Sequence, residues 1–482
     1  MKKRTISILL FLSVLLGACA ETSTSGETTT ADSTTSAPET MRGTLDPTLD
    51  FGGEKVVFIV DKDLPVSDFT AEQTGDIVDD ALFLRSLDVQ ERLNVTFDFF
   101  WSPGNYANRK EFQGYVSSSV LANDAAYDIV GGYSVSIATL AANGHLCSIA
   151  NVPHIDFTQP WWSKSLMDNI SIDGNLYFVT GDISTNAIGS SFGVFFNKGL
   201  ISTYKLENPY ELVDSGKWTL DKMLSMTSEI YSDLNGNNTR DEGDMYGVVA
   251  AETSFDNLYY SVGMNCVEPD PELGMVVSPD FGSEKMVTLL EKLCDAFNHK
   301  AGNTFMAQDA SYMPFLEENA VFLLIGMSAA ATRLREADFE YGIVPTPKWD
   351  EKQKEYRSTH AYTSAFYGIP LDAKDAEMSA AVIEAMAIEG YYNLAPAYFE
   401  TALKVKYSSD DDSARMFDII RAGTTYDFGR VFSTAALSSI PGRMRGMVTT
   451  DNVNWMSTYE SNITKFETLL AELVEKLRAG EA

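Results

Sequence analysis

Lys55-Val-Val-Phe-Ile-Val60, Val95-Thr-Phe-Asp-Phe-Phe100 and Tyr127-Asp-Ile-Val130 are three apolar runs of strand length, and what separates them decides the fold. Over residues 78–93 apolar side chains return at helical spacing, and a more polar helical stretch precedes Tyr127. Parallel strands need a crossover long enough to hold a helix, so strand, helix, strand, helix, strand predicts an α/β fold with a parallel sheet. Ligands of such sheets collect beyond the carboxyl ends of the strands. Residues 61–65, 101–105 and 131–133 are therefore expected around one rim.

Towards the N-terminus, Lys2-Lys3-Arg4 and the apolar run 6–16 have the charge and length of a signal peptide. The run is too short to span a bilayer. Leu16-Gly17-Ala18-Cys19 resembles the lipobox of bacterial lipoproteins. That resemblance implies removal of residues 1–18 and a lipid (palmitate-type acyl chains) on Cys19, anchoring the protein to the cell membrane. Residues 19–46 are rich in Ser and Thr and almost free of bulky apolar side chains, so they cannot bury enough surface to order themselves. They read as a disordered tether with a reach of roughly 25–30 Å.

The 482-residue chain carries 68 acidic and 36 basic residues, a formal charge of −32. That sign excludes nucleic acid and electrostatic binding to anionic lipid. Past the tether there is length for two or three domains, at roughly 150 residues each. Cys147, Cys266 and Cys294 are an odd set once Cys19 is lipidated, so no complete disulfide framework follows. A Cys266–Cys294 bridge is one arrangement open to them; Cys294 as a small buried hydrophobe within the helical run 286–297 is another.

Further along, residues 176–179, 193–196 and 246–249 read as strands, and 218–231 as a helix with Thr219 as N-cap. Amphipathic helices are expected at 284–297, 375–389 and 451–477, the last with a stripe from Met456 through Tyr459, Ile463, Phe466, Leu470 and Leu473 to Leu477. Between the helix 218–231 and the strand 246–249 lies Asp233-Leu-Asn-Gly-Asn-Asn-Thr-Arg-Asp-Glu-Gly-Asp244. Ca²⁺ takes six to eight oxygens, and a twelve-residue loop supplies them from positions 1, 3, 5, 7, 9 and 12. Those places fall on Asp233, Asn235, Asn237, Thr239 (through its carbonyl), Asp241 and Asp244, so a structural Ca²⁺ pinning a helix-to-strand connection is expected. Asn238 stands where Gly is usual and Asp244 where Glu is usual; Asn tolerates the left-handed turn.

Phe195-Phe-Asn-Lys-Gly-Leu200, Asn208-Pro-Tyr-Glu-Leu212 and Gly216-Lys-Trp-Thr-Leu220 follow one another in that order. Around them stand Pro160-Trp-Trp162, Gly174-Asn-Leu-Tyr177, Gly181-Asp-Ile-Ser184 and Tyr341-Gly-Ile-Val-Pro-Thr-Pro-Lys348. Together these resemble the extracellular solute-binding proteins of ATP-driven importers (ABC transporters), in the family that includes maltose- and oligosaccharide-binding receptors. The resemblance implies a two-lobe, periplasmic-binding-protein-like α/β fold with the ligand cleft between lobes. The first lobe would take 51–185 and 348–392, the second 186–347 and 393–482. It further implies a monomeric extracytoplasmic receptor, not an enzyme, that passes a sugar or oligosaccharide to a membrane permease.

Sugar rings lay apolar C–H faces on aromatic side chains and hold their hydroxyls with polar ones. Aromatics with polar neighbours near strand ends and crossings make Tyr133, Trp161, Asp182, Tyr260, His360 and Tyr362 the candidate ligand contacts, with Trp162 and Trp218 assigned to the core. For an anionic ligand, Arg333, Arg335, Arg443 and Arg445 gain weight. The rival class is a secreted glycan-active hydrolase, and a calcium-stiffened adhesion protein comes third. Gly189-Ser-Ser-Phe-Gly193 matches the G-x-S-x-G pattern, but a nucleophile elbow has a strand before it and a helix after; here the strand follows. The four His have no zinc spacing. Asp410-Asp411-Asp412, flanked by serines, reads as a solvated loop.

Overall fold

The computed structural model describes residues 43, 45–335, 337–399 and 411–479. The signal segment, Cys19, most of the tether and Asp410 lie outside them. In chain order the strands are β1 (Glu54–Asp61), β2 (Val95–Ser102), β3 (Ile129–Tyr133), β4 (Phe192–Asn197), β5 (Tyr231–Ser232), β6 (Met245–Ala251) and β7 (Val267–Asp270). There follow β8 (Gly274–Val277), β9 (Asn303–Met306), β10 (Ala320–Gly326), β11 (Tyr341–Pro345), β12 (Ser358–Thr359), β13 (Ala365–Gly368) and β14 (Thr424–Thr425).

One sheet has the order β13-β3-β1-β2, with β1 parallel to both β2 and β3, and β13 antiparallel to β3. The crossovers are the helices Ile77–Leu93 and Arg109–Ala122. The first starts at Asp76, whose carboxylate accepts the Val78 N–H at 2.9 Å, and ends at Asn94 in the left-handed region. The second sheet has the order β11-β4-β10-β6-β5, with β9 also paired to β6. Here β6, β9 and β10 are parallel, while β4 runs against both β10 and β11. Every residue of β4, β6, β10 and β11 is buried, as continuous apolar strands covered on both faces should be. The chain passes from the first sheet to the second after β3 and returns with β13.

The outward passage is fastened to the first sheet by Asp68, which is buried in the loop after β1. Its carboxylate accepts from the Ser184 and Thr185 hydroxyls, the Thr185 N–H, the Asn186 amide and the Tyr367 hydroxyl, at 2.6–3.2 Å. Asn186 in turn exchanges hydrogen bonds with the backbone of Val66.

Four expectations change. Residues 176–179 form no strand; Val179 makes only an isolated bridge to Tyr367. The helix expected over 218–231 spans Leu220–Thr227, capped by Thr219 as predicted, and its last residues instead form β5, where Tyr231 pairs with Tyr246. The loop 233–244 therefore joins two antiparallel strands, not a helix to a strand. The cysteines, by contrast, take one of the two arrangements left open: Cys266 and Cys294 are buried and free, with Cys294 packed in the helix Glu284–Cys294. In the helix Trp455–Arg478 the inward stripe is Trp455, Phe466, Leu470, Leu473, Val474 and Leu477, and Met456 is exposed.

Candidate functional site

The parallel strands of both sheets end around one cavity of about 640 Å³, within the roughly 300–1,000 Å³ usual for small-molecule sites. From the first sheet come Pro65 beyond β1, Tyr106 beyond β2, Tyr133 at the end of β3, and Val135. From the second come Thr253 beyond β6, Gln308 and Asp309 beyond β9, and residues 325–333 at the end of β10. The returning segment adds Ala361, Tyr362 and Thr363, and the helical stretch 428–449 adds Arg430, Ser433, Thr434 and Arg445. Of the rim expected from strand ends, Pro65 and Tyr133 reach the cavity; none of 101–105 does, and Tyr106, one residue further on, takes that place.

Each wall is held by identifiable bonds. Ser134, which opens the helix Ser134–Ala142, donates its hydroxyl to the Tyr362 carbonyl at 2.7 Å, and its N–H goes to Ser364 O at 3.0 Å. The Ala361 N–H reaches Ser190 O at 2.7 Å. These fix Tyr362 beside Tyr133. The Tyr133 hydroxyl is held protonated by burial. Tyr106 is exposed, and the Arg109 guanidinium lies over its ring, 3.9 Å from the centroid.

Behind Tyr362 is Arg430, buried in the short helix Phe428–Val431. It donates to Asp256 Oδ2 at 3.2 Å and, from Nε and Nη2, to the His360 carbonyl at 3.0 and 2.9 Å. Its guanidinium sits 4.2 Å from the Tyr362 ring centroid. Asp427 caps this helix by accepting from the Arg430 N–H, and also accepts the Cys266 and Val267 N–H groups; burial pushes its carboxyl up to about 6. The other oxygen of Asp256 is shared with Arg445 Nε at 3.5 Å. Arg333, which also lines the cavity, pairs with the exposed Asp309 at 3.2 Å.

Of the six candidate contacts, Tyr133 and Tyr362 line the cavity. Tyr260 lies one layer back in a crevice with Asp256, its ring under the Arg430 guanidinium at 5.9 Å. The other three are not brought to the cavity. Trp161 and Trp162 point their indole N–H groups at Glu384, 3.1 and 2.9 Å away. Glu384 is fully buried in the helix Ala376–Glu389, and desolvation raises its carboxyl to about 7. Asp182 is buried against Arg421. His360 is buried and stacked on Tyr426 at 4.6 Å, with burial and then Arg430 holding its ring neutral. Trp218 is core, donating to Pro345 O at 2.7 Å. Arg335 pairs with Asp76, and Arg443 is exposed outside the cavity. Arg430 was missed, although Asp427 three residues before it is a visible cap. The Ser191 hydroxyl is buried and bonded to Thr424.

In the 233–244 loop, Asp233 accepts the Gly236 and Asn238 N–H groups at 2.6 and 2.9 Å, with Asn238 at φ 58°. Asn235 and Asn237 both turn their side chains to Asp241, at 3.0 and 2.6 Å, and the Asn237 side-chain oxygen accepts the Thr239 N–H. Asp244 is fully buried; Oδ2 accepts from Tyr231 at 3.1 Å, and Oδ1 has no partner. Among the described residues no three His, Cys, Asp or Glu side chains converge as a metal site. A cation here would draw on amide and backbone oxygens as well.

A two-sheet α/β protein with its cavity at the converging strand ends has the periplasmic-binding-protein-like fold. Solved structures of several binding proteins share that fold. A cyclic α-maltosyl-1,6-maltose binding protein from Arthrobacter globiformis aligns with a TM-score of 0.57 at 14% identity, over 88% of this chain and 100% of that one. An ABC substrate-binding protein from Listeria monocytogenes in complex with cycloalternan gives 0.56 at 10% identity, over 87% and 99%. A cyclo/maltodextrin-binding protein complexed with maltotetraose gives 0.55 at 12%, over 89% and 97%. No protein-family profile matches the sequence, and no curated protein does.

Proposed function

We propose that this chain is an extracytoplasmic receptor that takes a sugar or oligosaccharide into the cavity between its sheets and delivers it unaltered to the permease of an ABC importer. The observation that carries this reading is the cavity itself, built at six strand ends and faced by the rings of Tyr106, Tyr133 and Tyr362. The structural neighbours described above are binding proteins solved with, or named for, oligosaccharides. Among the lining residues Asp309 is the one carboxylate, exposed and paired to Arg333, whereas glycoside hydrolysis needs two flanking the bond. The lobe division at 51–185 with 348–392 and 186–347 with 393–482, the monomeric state and the lipid on Cys19 belong to the same reading. No helix among the described residues is long and apolar enough to cross a membrane, so Cys19 would be the attachment. Calorimetric titration against a panel of oligosaccharides, followed by chromatography of the recovered ligand, tests it. Binding with intact recovery is expected; cleavage by pure protein would move the assignment to the hydrolase.

We also propose that loop 233–244 takes Ca²⁺ through Asp233, Asn235, Asn237, Thr239, Asp241 and Asp244. The support is the twelve-residue register together with the unpartnered, buried Oδ1 of Asp244. Loop and cavity sit at opposite ends of the seven-residue β6, roughly 20 Å apart by strand rise, so the ion would stiffen the sheet without touching ligand.

A further inference from the structure

We infer that the ligand is an anionic sugar, one bearing a carboxylate or a sulfate or phosphate ester, and that Arg445 receives the anion. The inference rests on the sugar-receptor reading above and goes beyond it in naming the ligand's charge.

The chain has nearly two acids for every base, yet its cavity is lined by three arginines and one carboxylate. Two of these charges cancel, since Arg333 and Asp309 are paired and both half or more exposed. The other two do not. Arg430 and Arg445 share the single carboxylate of Asp256, one on each oxygen. Arg430 meets its remaining needs at the neutral His360 carbonyl. His360 itself carries no charge, because burial and the adjacent Arg430 hold it deprotonated. Tyr133 and Tyr362 face the same pair with protonated hydroxyls. Asp427, which caps the Arg430 helix, is balanced by Arg357 beside it, so one positive charge is left over at the second sheet's side of the cavity.

That surplus has an address. Arg430 is buried, and all its directed bonds are to protein groups. The Arg445 side chain is 31% exposed, touches Asp256 only through Nε, and has no protein partner at either terminal amino group among the described residues. A guanidinium with both terminal nitrogens free presents the parallel N–H pair that matches two oxygens of a carboxylate, sulfate or phosphate. Ser433 and Thr434, which also line the cavity, are hydroxyl donors on the same wall. A neutral sugar would leave that charge-assisted pair to water alone, and so gives no account of why the site holds a surplus cation.

The test is calorimetric titration of the full soluble chain with matched oligosaccharides of equal length, one neutral, one containing a hexuronate, one sulfated and one phosphorylated, and with an acidic peptide. One or more of the acidic sugars should bind at least tenfold tighter than the neutral congener. Arg445→Gln should lose that preference, weakening the acidic ligand ten- to hundredfold more than the neutral one. Arg445→Lys, which keeps the charge without the fork, should fall between. Melting of Arg445→Gln within a few degrees of wild type confirms that the loss is local; if Gln unfolds the protein, the Lys variant carries the comparison. Equal affinity for neutral and acidic sugars, or a preference untouched by both Arg445 variants, overturns the inference and leaves the sugar receptor standing. Binding of the acidic peptide alone, or of nothing in the panel, overturns the sugar reading and this inference together.

Discussion

The two walls of the cavity differ in kind. The first-sheet wall, Pro65, Tyr106, Tyr133 and Val135, has rings and apolar surface and no charge. The second-sheet wall, with Arg333, Arg430, Arg445, Asp309 and Gln308, carries all the charged groups. Their supports differ in the same way. Tyr133 stands directly at a strand end, whereas Arg430 is held by Asp256 and the His360 carbonyl, from two separate stretches of chain. One wall offers area, which is tolerant of ligand chemistry; the other offers directed bonds, which discriminate.

The sharpest way to break the contrast is Arg430→Leu. It strips the second wall of its anchor, leaving the buried Asp256 with Arg445 alone at 3.5 Å and the His360 carbonyl without its two donors, which should cost about 3 kcal/mol. The apo protein should melt many degrees lower; a shift of only a degree or two would mean the wall is not held by this pair.

Glu384, away from both walls, shows what burial does to an acid hydrogen-bonded to two indoles. Its carboxyl is raised by burial to about 7 from an ordinary 4.5, so ionisation opposes folding: the penalty is absent below about pH 4.5 and complete above about pH 7, on the order of 3 kcal/mol. Wild type should gain stability from this group as pH falls from 7 towards 5. Glu384→Gln should flatten that part of the profile. It should also lose about 1–3 kcal/mol, because an amide cannot accept from both indoles. An unchanged pH profile in the variant would remove Glu384 as the source.

Calcium should act on the second sheet alone. A native-state ligand at a hundredfold excess over Kd adds about 2.7 kcal/mol, so chelator should lower the melting temperature and leave sugar affinity as it was. Asp233→Ala should abolish the chelator effect; melting curves that coincide with and without chelator would refute the site.

On the first wall, Tyr133→Ala should weaken ligand binding ten- to hundredfold, from about 1–3 kcal/mol of lost apolar contact. Smallest of all, Tyr106→Ala should shift apo stability by no more than about 0.5 kcal/mol, since the ring is exposed, while still reducing ligand affinity. Should Tyr106→Ala leave affinity untouched, the first wall reduces to Tyr133.

The first wall was partly legible in the sequence because its residues follow strands whose apolar runs are local signals: β1 and β2 run slightly past the expected ends at 60 and 100, while β3, expected over 127–130, starts later and runs on to Tyr133 itself. The second wall was only half legible. Arg333 and Arg445 could be named as anion contacts, but Arg430 gains its role from Asp256 and His360, 174 and 70 residues away. Trp161 went astray for the same reason, since its polar partner Glu384 lies 223 residues on. Residues 176–179 have the composition of a strand, yet a strand is defined by its neighbours, and only Val179 finds one. The 231–232 segment shows the reverse, helical spacing overridden by pairing with β6.

The Asp68 cluster sets where this molecule can bend. Five donors converge on one carboxylate, and all but the Tyr367 hydroxyl come from Ser184, Thr185 and Asn186. The outward passage is thereby riveted to the first sheet through Asn186, with no slack before that point. Were one sheet to rock against the other, this passage could give only in the few residues between Asn186 and the start of β4 at Phe192, a joint shorter than two turns of helix, and the return to β13 would have to give with it. A joint that short would act as a hinge instead of a loose swivel, and would bring the two walls together in one register if the cleft shuts.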